Sequence, residues 1–175
     1  MPLSLIDSLQ SRVLVFDGAM GTQVHAITFD LDRDYLGCEN CTDVLCLSRP
    51  DAIGGIHRAY LEAGADAVTT NSFGGARHVL DEFDLGGRTF ELNRTAAEIA
   101  RREADALSTP ERPRFVLGSL GPGTKLITLG QIGWEKLFDA YREAAEGPGR
   151  GRRGRGAAGD LPGPAAGQVR RPGRP

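Results

Sequence analysis

Three short apolar runs, each closed by a loop of glycine and small polar residues, constrain this chain more than any other feature. The runs are Arg12–Phe16, Asp66–Thr70 and Phe115–Ser119. Their exit loops read DGAMGT (Asp17 to Thr22), TNSFGG (Thr70 to Gly75) and GSLGPGT (Gly118 to Thr124). The first run is continuously apolar, which fits a short strand buried on both faces. Between the runs the apolar spacing becomes helical. Pro50 and Asp51 open a helix that places Ile53, Ile56, His57, Tyr60 and Leu61 on one face, and Gly64 closes it. A weaker helical stretch spans His78 to Phe83. A longer helix over Thr89 to Leu107 buries Leu92, Ala96, Ile99 and Ala100, and Trp134 to Ala145 reads as a further helix with Leu137, Phe138 and Tyr141 inward. The order βαβαβα implies an α/β fold with a parallel sheet and right-handed crossovers.

In such folds ligands bind at the C-terminal ends of the strands. One glycine-rich exit loop is most simply a tight turn. Three in succession favour a site, because glycines let backbone N–H groups approach a ligand while Asp17, Asn71 and Ser119 supply directed hydrogen bonds. Other motifs carry less. Cys38-Glu39-Asn40-Cys41 is a CxxC without a second cysteine or histidine pair at zinc-ligand spacing, so these cysteines read as small residues in the loop after the first strand. The run Gly118 to Lys125 places Thr before Lys, whereas a phosphate loop requires Lys and then Ser or Thr. His25, His57 and His78 are widely separated, and His57, at a core-edge helical position, is expected to be packed or hydrogen-bonded rather than catalytic.

After Glu146 the composition changes to Gly, Arg, Pro and Ala. Seven arginines and one acid, Asp160, make residues 147–175 net +6, which leaves −8 on the rest of a chain whose formal charge is −2. The N-terminus lacks a basic segment followed by a long apolar run, and no stretch approaches the roughly 18 apolar residues that span a bilayer. Three cysteines in a chain without an export signal point to a reduced, cytoplasmic protein with no membrane partner.

Four stretches carry a family resemblance: FDGAMGT (Phe16 to Thr22), RPD…HRAYLEAGADAVTTNSFG (Arg49 to Gly74), FELNRTAAEIAR (Phe90 to Arg101) and PRFVLGSLGPGTKLITLG (Pro113 to Gly130). From about Leu5 to Ala145 the chain resembles the homocysteine-binding domain of cobalamin-dependent methionine synthases. TKLITLG and WEKLFDAYREAA look more like that branch than like the methyltransferases that use betaine or S-methylmethionine. The resemblance implies a (βα)8 TIM barrel that transfers a methyl group to the homocysteine sulfur, giving methionine. Family members hold zinc with three cysteine thiolates, which deprotonates the substrate thiol, and methylcobalamin on another module presents the methyl group. By position, Asp17 would help hold the substrate amino group and the Gly18 and Ala19 amides its carboxylate. Asn71 and Ser119 match the polar residues after the second and third strands.

The family's zinc cysteines lie near the sixth and eighth strands, and this chain has no cysteine after Cys46. A barrel of this kind takes about 250 residues, whereas the patterned part covers 1–146. The expectation is therefore a partial barrel, its first three βα units, with weak or partial homocysteine contact. It would carry no catalytic residue, zinc or cobalamin of its own and be inactive alone. For residues 147–175 three readings stand: a disordered basic arm able to bind nucleic acid, a linker, or a frameshifted or truncated product. Codons of Gly, Arg, Pro and Ala begin with two G/C bases, and periodicity stops within a helix where a fourth strand is due. Those two points favour the last reading, and nucleic acid is not the expected partner.

Overall fold

A computed structural model describes residues 4–150, of which 148–150 are described as backbone only. Helix α1 (Leu5–Ser11) opens with a capping box: Asp7 N–H donates to Ser4 Oγ at 3.1 Å while Ser4 N–H donates to the Asp7 carboxylate. Helix α2 (Met20–His25) begins within the first exit loop and takes up Met20 to Thr22, and a 3-10 turn (Thr42–Val44) leads into α3 (Leu45–Ser48). Helix α4 (Pro50–Glu62) begins with proline, whose fixed φ suits a first helical position. It ends before Gly64, whose φ of +116° lies in the region glycine tolerates. Then come β1 (Ala67–Thr69), α5 (Arg77–Leu80), α6 (Thr89–Ala106), β2 (Phe115–Leu117) and α7 (Trp134–Arg150).

The two strands pair in parallel, Ala67 with Phe115, Val68 with Val116 and Thr69 with Leu117. The pleat divides their side chains between two faces. Val68 and Val116 pack beneath α4 and α6 with Leu61, Ala100 and Ala104. Ala67 and Phe115 turn the other way, where Leu14, Leu117 and Leu5 of α1 join them. A third cluster joins α4 and α6 to the segment before them through Val24, Leu45, Cys46, Ile53, Ile56, Ala96 and Ile99. The apolar stripes expected on α4 and α6 are thus buried.

The first run differs from expectation. It forms one parallel bridge, Phe16 to Ala67, flanked by Asp17 N–H to Ala67 O at 3.0 Å and Ala67 N–H to Val15 O at 3.3 Å. Only Leu14 is buried. Val13 is 87% exposed and Val15 56%, so burial on both faces does not hold. Among the described residues no helix covers the face to which Val13 and Val15 point, and the run has one strand neighbour only. The weaker helical stretch resolves into α5 and a 3-10 turn, Asp81–Phe83.

Helix α7 also departs from the reading. Phe138 is 47% exposed, Leu137 and Tyr141 are half-buried, and the buried positions are Ala140, Ala144 and Gly147. Size explains the swap. A Cβ at Gly147 would lie 2.7 Å from Asn93 Cβ and 3.0 Å from the Phe90 carbonyl oxygen, so α7 and α6 approach too closely for large side chains. The helix continues through the compositional seam to Arg150 rather than stopping at Ala145. The proposed nucleic-acid arm and the expected disorder of the tail fall, from residue 151 on, outside the described residues.

At the N-terminal ends of the strands, Asp66 collects Arg12 in a two-point contact (2.9 and 3.1 Å), Arg112 at 3.3 Å and the Val15 N–H at 3.0 Å. Arg114 stands 3.9 Å away. This knot ties the first run, β1 and β2 together below the sheet.

Candidate functional site

At the opposite ends of the strands lie the three exit loops. Asp17 is half-buried and fixed by Thr69, whose N–H donates to Oδ2 at 2.9 Å and whose hydroxyl donates to Oδ1 at 3.0 Å. Burial pushes its carboxyl above the usual range, and the Thr69 bonds partly offset that. No ion pair involves Asp17 among the described residues, so its charge is available to a cationic ligand. Gly18 and Ala19 are exposed. A Cβ on Gly18 would stand 3.1 Å from the Tyr60 hydroxyl, which itself donates to the Ala19 carbonyl at 3.4 Å, so the turn is seated on α4.

Asn71 is buried, and its amide hydrogens are committed: Nδ2 donates to the Thr42 carbonyl at 2.8 Å and to Cys46 Sγ at 3.7 Å. What remains for a ligand is acceptor capacity at Oδ1. Ser119 is half-buried. Its N–H donates to Thr70 Oγ1 at 2.9 Å and its carbonyl accepts from Ser72 Oγ at 2.9 Å, so its backbone clamps the second loop to the third. The same two loops also meet where Gly121 N–H donates to the Phe73 carbonyl at 2.9 Å, and a Cβ on Gly121 would lie 2.5 Å from that oxygen. The structure therefore links the predicted positions through Thr69 and Thr70: Asp17 to β1, and β1 to Ser119.

Sequence reading missed the support beneath the second loop. Asp43, 7% exposed, accepts the Gly74 N–H at 2.9 Å, and burial raises its carboxyl above the ordinary range. Nothing local to Asp43 in the sequence signals a partner 31 residues away. Thr69 was visible only as a strand residue.

Two of the three cysteines, Cys41 and Cys46, are core residues rather than loop fillers, and Cys38 is half-buried. Cys41 packs with Val44, Leu80 and Leu92, whereas Cys46 lies in the separate cluster with Val24 and Ile53. Burial pushes the Cys41 thiol up to about 11 and the Cys46 thiol up to about 12, and Cys46 Sγ donates to the Asn71 carbonyl at 3.3 Å. Cys41 and Cys46 thus sit in two different hydrophobic clusters rather than converging on one point. Among the described residues no group of three or more His, Cys, Asp or Glu is placed to hold a metal ion. His57 is packed as expected, fully buried with neither ring nitrogen bonded among the described residues, and burial lowers it to about 4. No helix among the described residues is long and apolar enough to cross a membrane.

The chain is similar to known proteins over most of its length. Methionine synthase of Mycobacterium tuberculosis is 51% identical over 143 residues, 82% of this chain and 12% of the relative. Methionine synthase of Mycobacterium leprae is 48% identical over the same shares. The chain thus spans about an eighth of the length of these relatives. Among solved structures, the metallated homocysteine methyltransferase MmuM of Escherichia coli matches with a TM-score of 0.61 at 22% identity, covering 79% of this chain and 51% of that one. Its oxidised form matches at 0.56 and 21%, covering 78% and 51%. The fold is an α/β fold similar to these methyltransferase barrels. The family model described as homocysteine S-methyltransferase matches residues 14–157, running past the seam at Glu146, and the chain belongs to the homocysteine S-methyltransferase family.

Proposed function

We propose that this chain is the N-terminal portion, the first three βα units, of a homocysteine-binding barrel of the methionine synthase type, and that its exit loops hold the amino-acid end of homocysteine. The observation that carries the reading is Asp17: a carboxylate at a strand's C-terminal end, oriented by two bonds from Thr69 and free of any cation among the described residues. Such a group suits an α-ammonium. Asn71, reduced to its acceptor oxygen, fits the same cation. The Gly18 and Ala19 amides, exposed beside Asp17, fit the α-carboxylate, and Ser119 closes the third side.

Methyl transfer belongs, in this proposal, to the complete enzyme in the cytoplasm, with the methyl donor on modules beyond this chain. In the family, zinc supplies the deprotonated substrate thiol. The cysteines of this chain do not fit that task, because Cys41 and Cys46 are buried in two separate hydrophobic clusters. No catalytic residue is assigned, and the chain alone is expected to bind substrate without turning it over.

Titrating the isotope-labelled 175-residue chain with L-homocysteine under reducing conditions tests this. Saturable amide shifts are expected at Asp17 to Thr22, Asn71 to Gly75 and Ser119 to Thr124, with a Kd of about 1 mM or weaker. Asp17→Asn should weaken binding about tenfold by removing the charge opposite the ammonium. Shifts confined to other parts of the chain would sink the site. Methionine formation by the chain alone, with zinc retained at one ion per chain, would sink the expectation of inactivity.

A further inference from the structure

The exit loop after β1 is held from below by a three-residue turn that the proposed function does not use. Its two ends are fixed separately: Asn71 Nδ2 donates to the Thr42 carbonyl at 2.8 Å, and Gly74 N–H donates to Asp43 Oδ1 at 2.9 Å. The second contact is mutually specified. A Cβ on residue 74 would stand 2.8 Å from Asp43 Oδ2, so this approach of backbone to carboxylate requires glycine. Asp43 is 7% exposed and takes part in no ion pair among the described residues. A buried carboxylate without a cation is costly for the fold, and its described hydrogen-bond partner outside its own turn is the loop. From the other side, Asn93 Nδ2 donates to the Gly75 carbonyl at 2.7 Å, so residues 71–75 lie between two buried polar anchors.

We propose that Asp43 is a positioning residue for the substrate site, fixing the Asn71–Gly75 loop through Gly74 so that Asn71 and the Ser72–Ser119 clamp are presented to the amino-acid ligand. This rests on the reading that these loops face homocysteine. A backbone N–H bonded to an ionised acceptor forms a strong, directional contact, and it carries no side chain that could turn away. Asp43 needs no contact with substrate for this. It acts through Gly74, and glycine at 74 has its reason in the carboxylate beneath it.

The test compares Asp43→Ala, Asp43→Asn, Gly74→Ala and the double variant D43A/G74A, all in the full 175-residue chain. Amide spectra and hydrogen exchange at Asn71 to Gly75 report the loop, and L-homocysteine titration reports the site. Asp43→Ala should move the Gly74 amide resonance, speed exchange across 71–75 about tenfold or more and weaken homocysteine about tenfold. Asp43→Asn, whose oxygen can still accept the Gly74 N–H, should stay within about threefold of the parent. Gly74→Ala should reproduce the Asp43→Ala loss. The double variant should be no worse than either single one, because the alanine at 43 vacates the space that the new methyl needs. Additive losses in the double variant, or equal losses in Asp43→Asn and Asp43→Ala, would overturn the proposal. If the parent chain shifts with homocysteine nowhere, the substrate reading fails, while the exchange and rescue pattern still decides whether Asp43 positions the loop.

Discussion

The two ends of the sheet treat carboxylates in opposite ways. At the N-terminal ends Asp66, 2% exposed, meets Arg12, Arg112 and Arg114, and although its burial opposes ionisation, the Arg12 and Val15 hydrogen bonds hold its pKa down at about 2. At the C-terminal ends Asp17 and Asp43 receive, among the described residues, only N–H and O–H donors of neutral groups, and burial raises both. The first arrangement is satisfied within the fold. The second leaves both carboxylates without a cation among the described residues. The comparison teaches that one end of the sheet closes its charge with guanidinium partners, whereas the other holds its carboxylates with neutral donors that also fix the loops.

The sharpest way to break this contrast is Asp66→Ala. The substitution strands Arg114, whose side chain is 8% exposed, and frees Arg12 and Arg112, which are 39% and 49% exposed and rehydrate readily. Breaking a buried pair typically costs 3–5 kcal/mol, and partial solvation of two partners brings the expectation to about 3 kcal/mol. Urea unfolding at pH 7 measures it. A loss below about 1 kcal/mol would mean that the knot does not hold the three strand starts together.

Next in size is the acid branch of the stability profile. Asp66 titrates near 2 in the folded chain against an ordinary value of 3.8. A depressed carboxylate contributes stability that is full above about pH 4 and lost as pH falls towards 2. That window should contain roughly 2 kcal/mol. Asp66→Asn should flatten the profile there. An unchanged acid slope in Asp66→Asn would assign it to other depressed carboxylates, among them Asp34, which its Arg33 hydrogen bond holds below the ordinary range; His57, lowered to about 4, loses its contribution earlier, between about pH 6.5 and 4.

How much of this was legible depends on how far apart in sequence the interacting residues are. The stripes of α4 and α6 were readable because each repeats within one helix: Ile53, Ile56 and Leu61 in one, Leu92, Ala96 and Ile99 in the other. Asp17, Asn71 and Ser119 were found as polar residues in three similar loops. The run at Val13 to Phe16 was misjudged because hydropathy does not say whether a face has a neighbour. In α7 hydropathy nominated Phe138, whereas helix spacing selected Ala140, Ala144 and Gly147. The compositional seam was plain in the sequence, yet α7 continues to Arg150, with Gly147 seated on α6. Thr69 and Asp43 stayed hidden because their partners lie 52 and 31 residues away.

The smallest stability effect is expected at the other end of the sheet, and its sign is opposite. Asp17 has a raised pKa in the folded chain, with burial the first cause. A raised carboxylate favours folding most when protonated, so this contribution is present below the ordinary carboxylate range and is lost as pH rises through the raised value. Asp17→Asn removes the titration while its side-chain oxygen can still accept the Thr69 N–H that now ends on Oδ2. Stability at pH 7 should therefore change by less than about 1 kcal/mol, and any change should be a gain. Paired urea titrations at pH 4 and pH 7 check both points, since the variant's difference from the parent should grow in its favour as pH rises. A loss of 2 kcal/mol or more would place Asp17 with Asp66 as a structural charge. The contrast between the two ends would then rest on Asp43 alone.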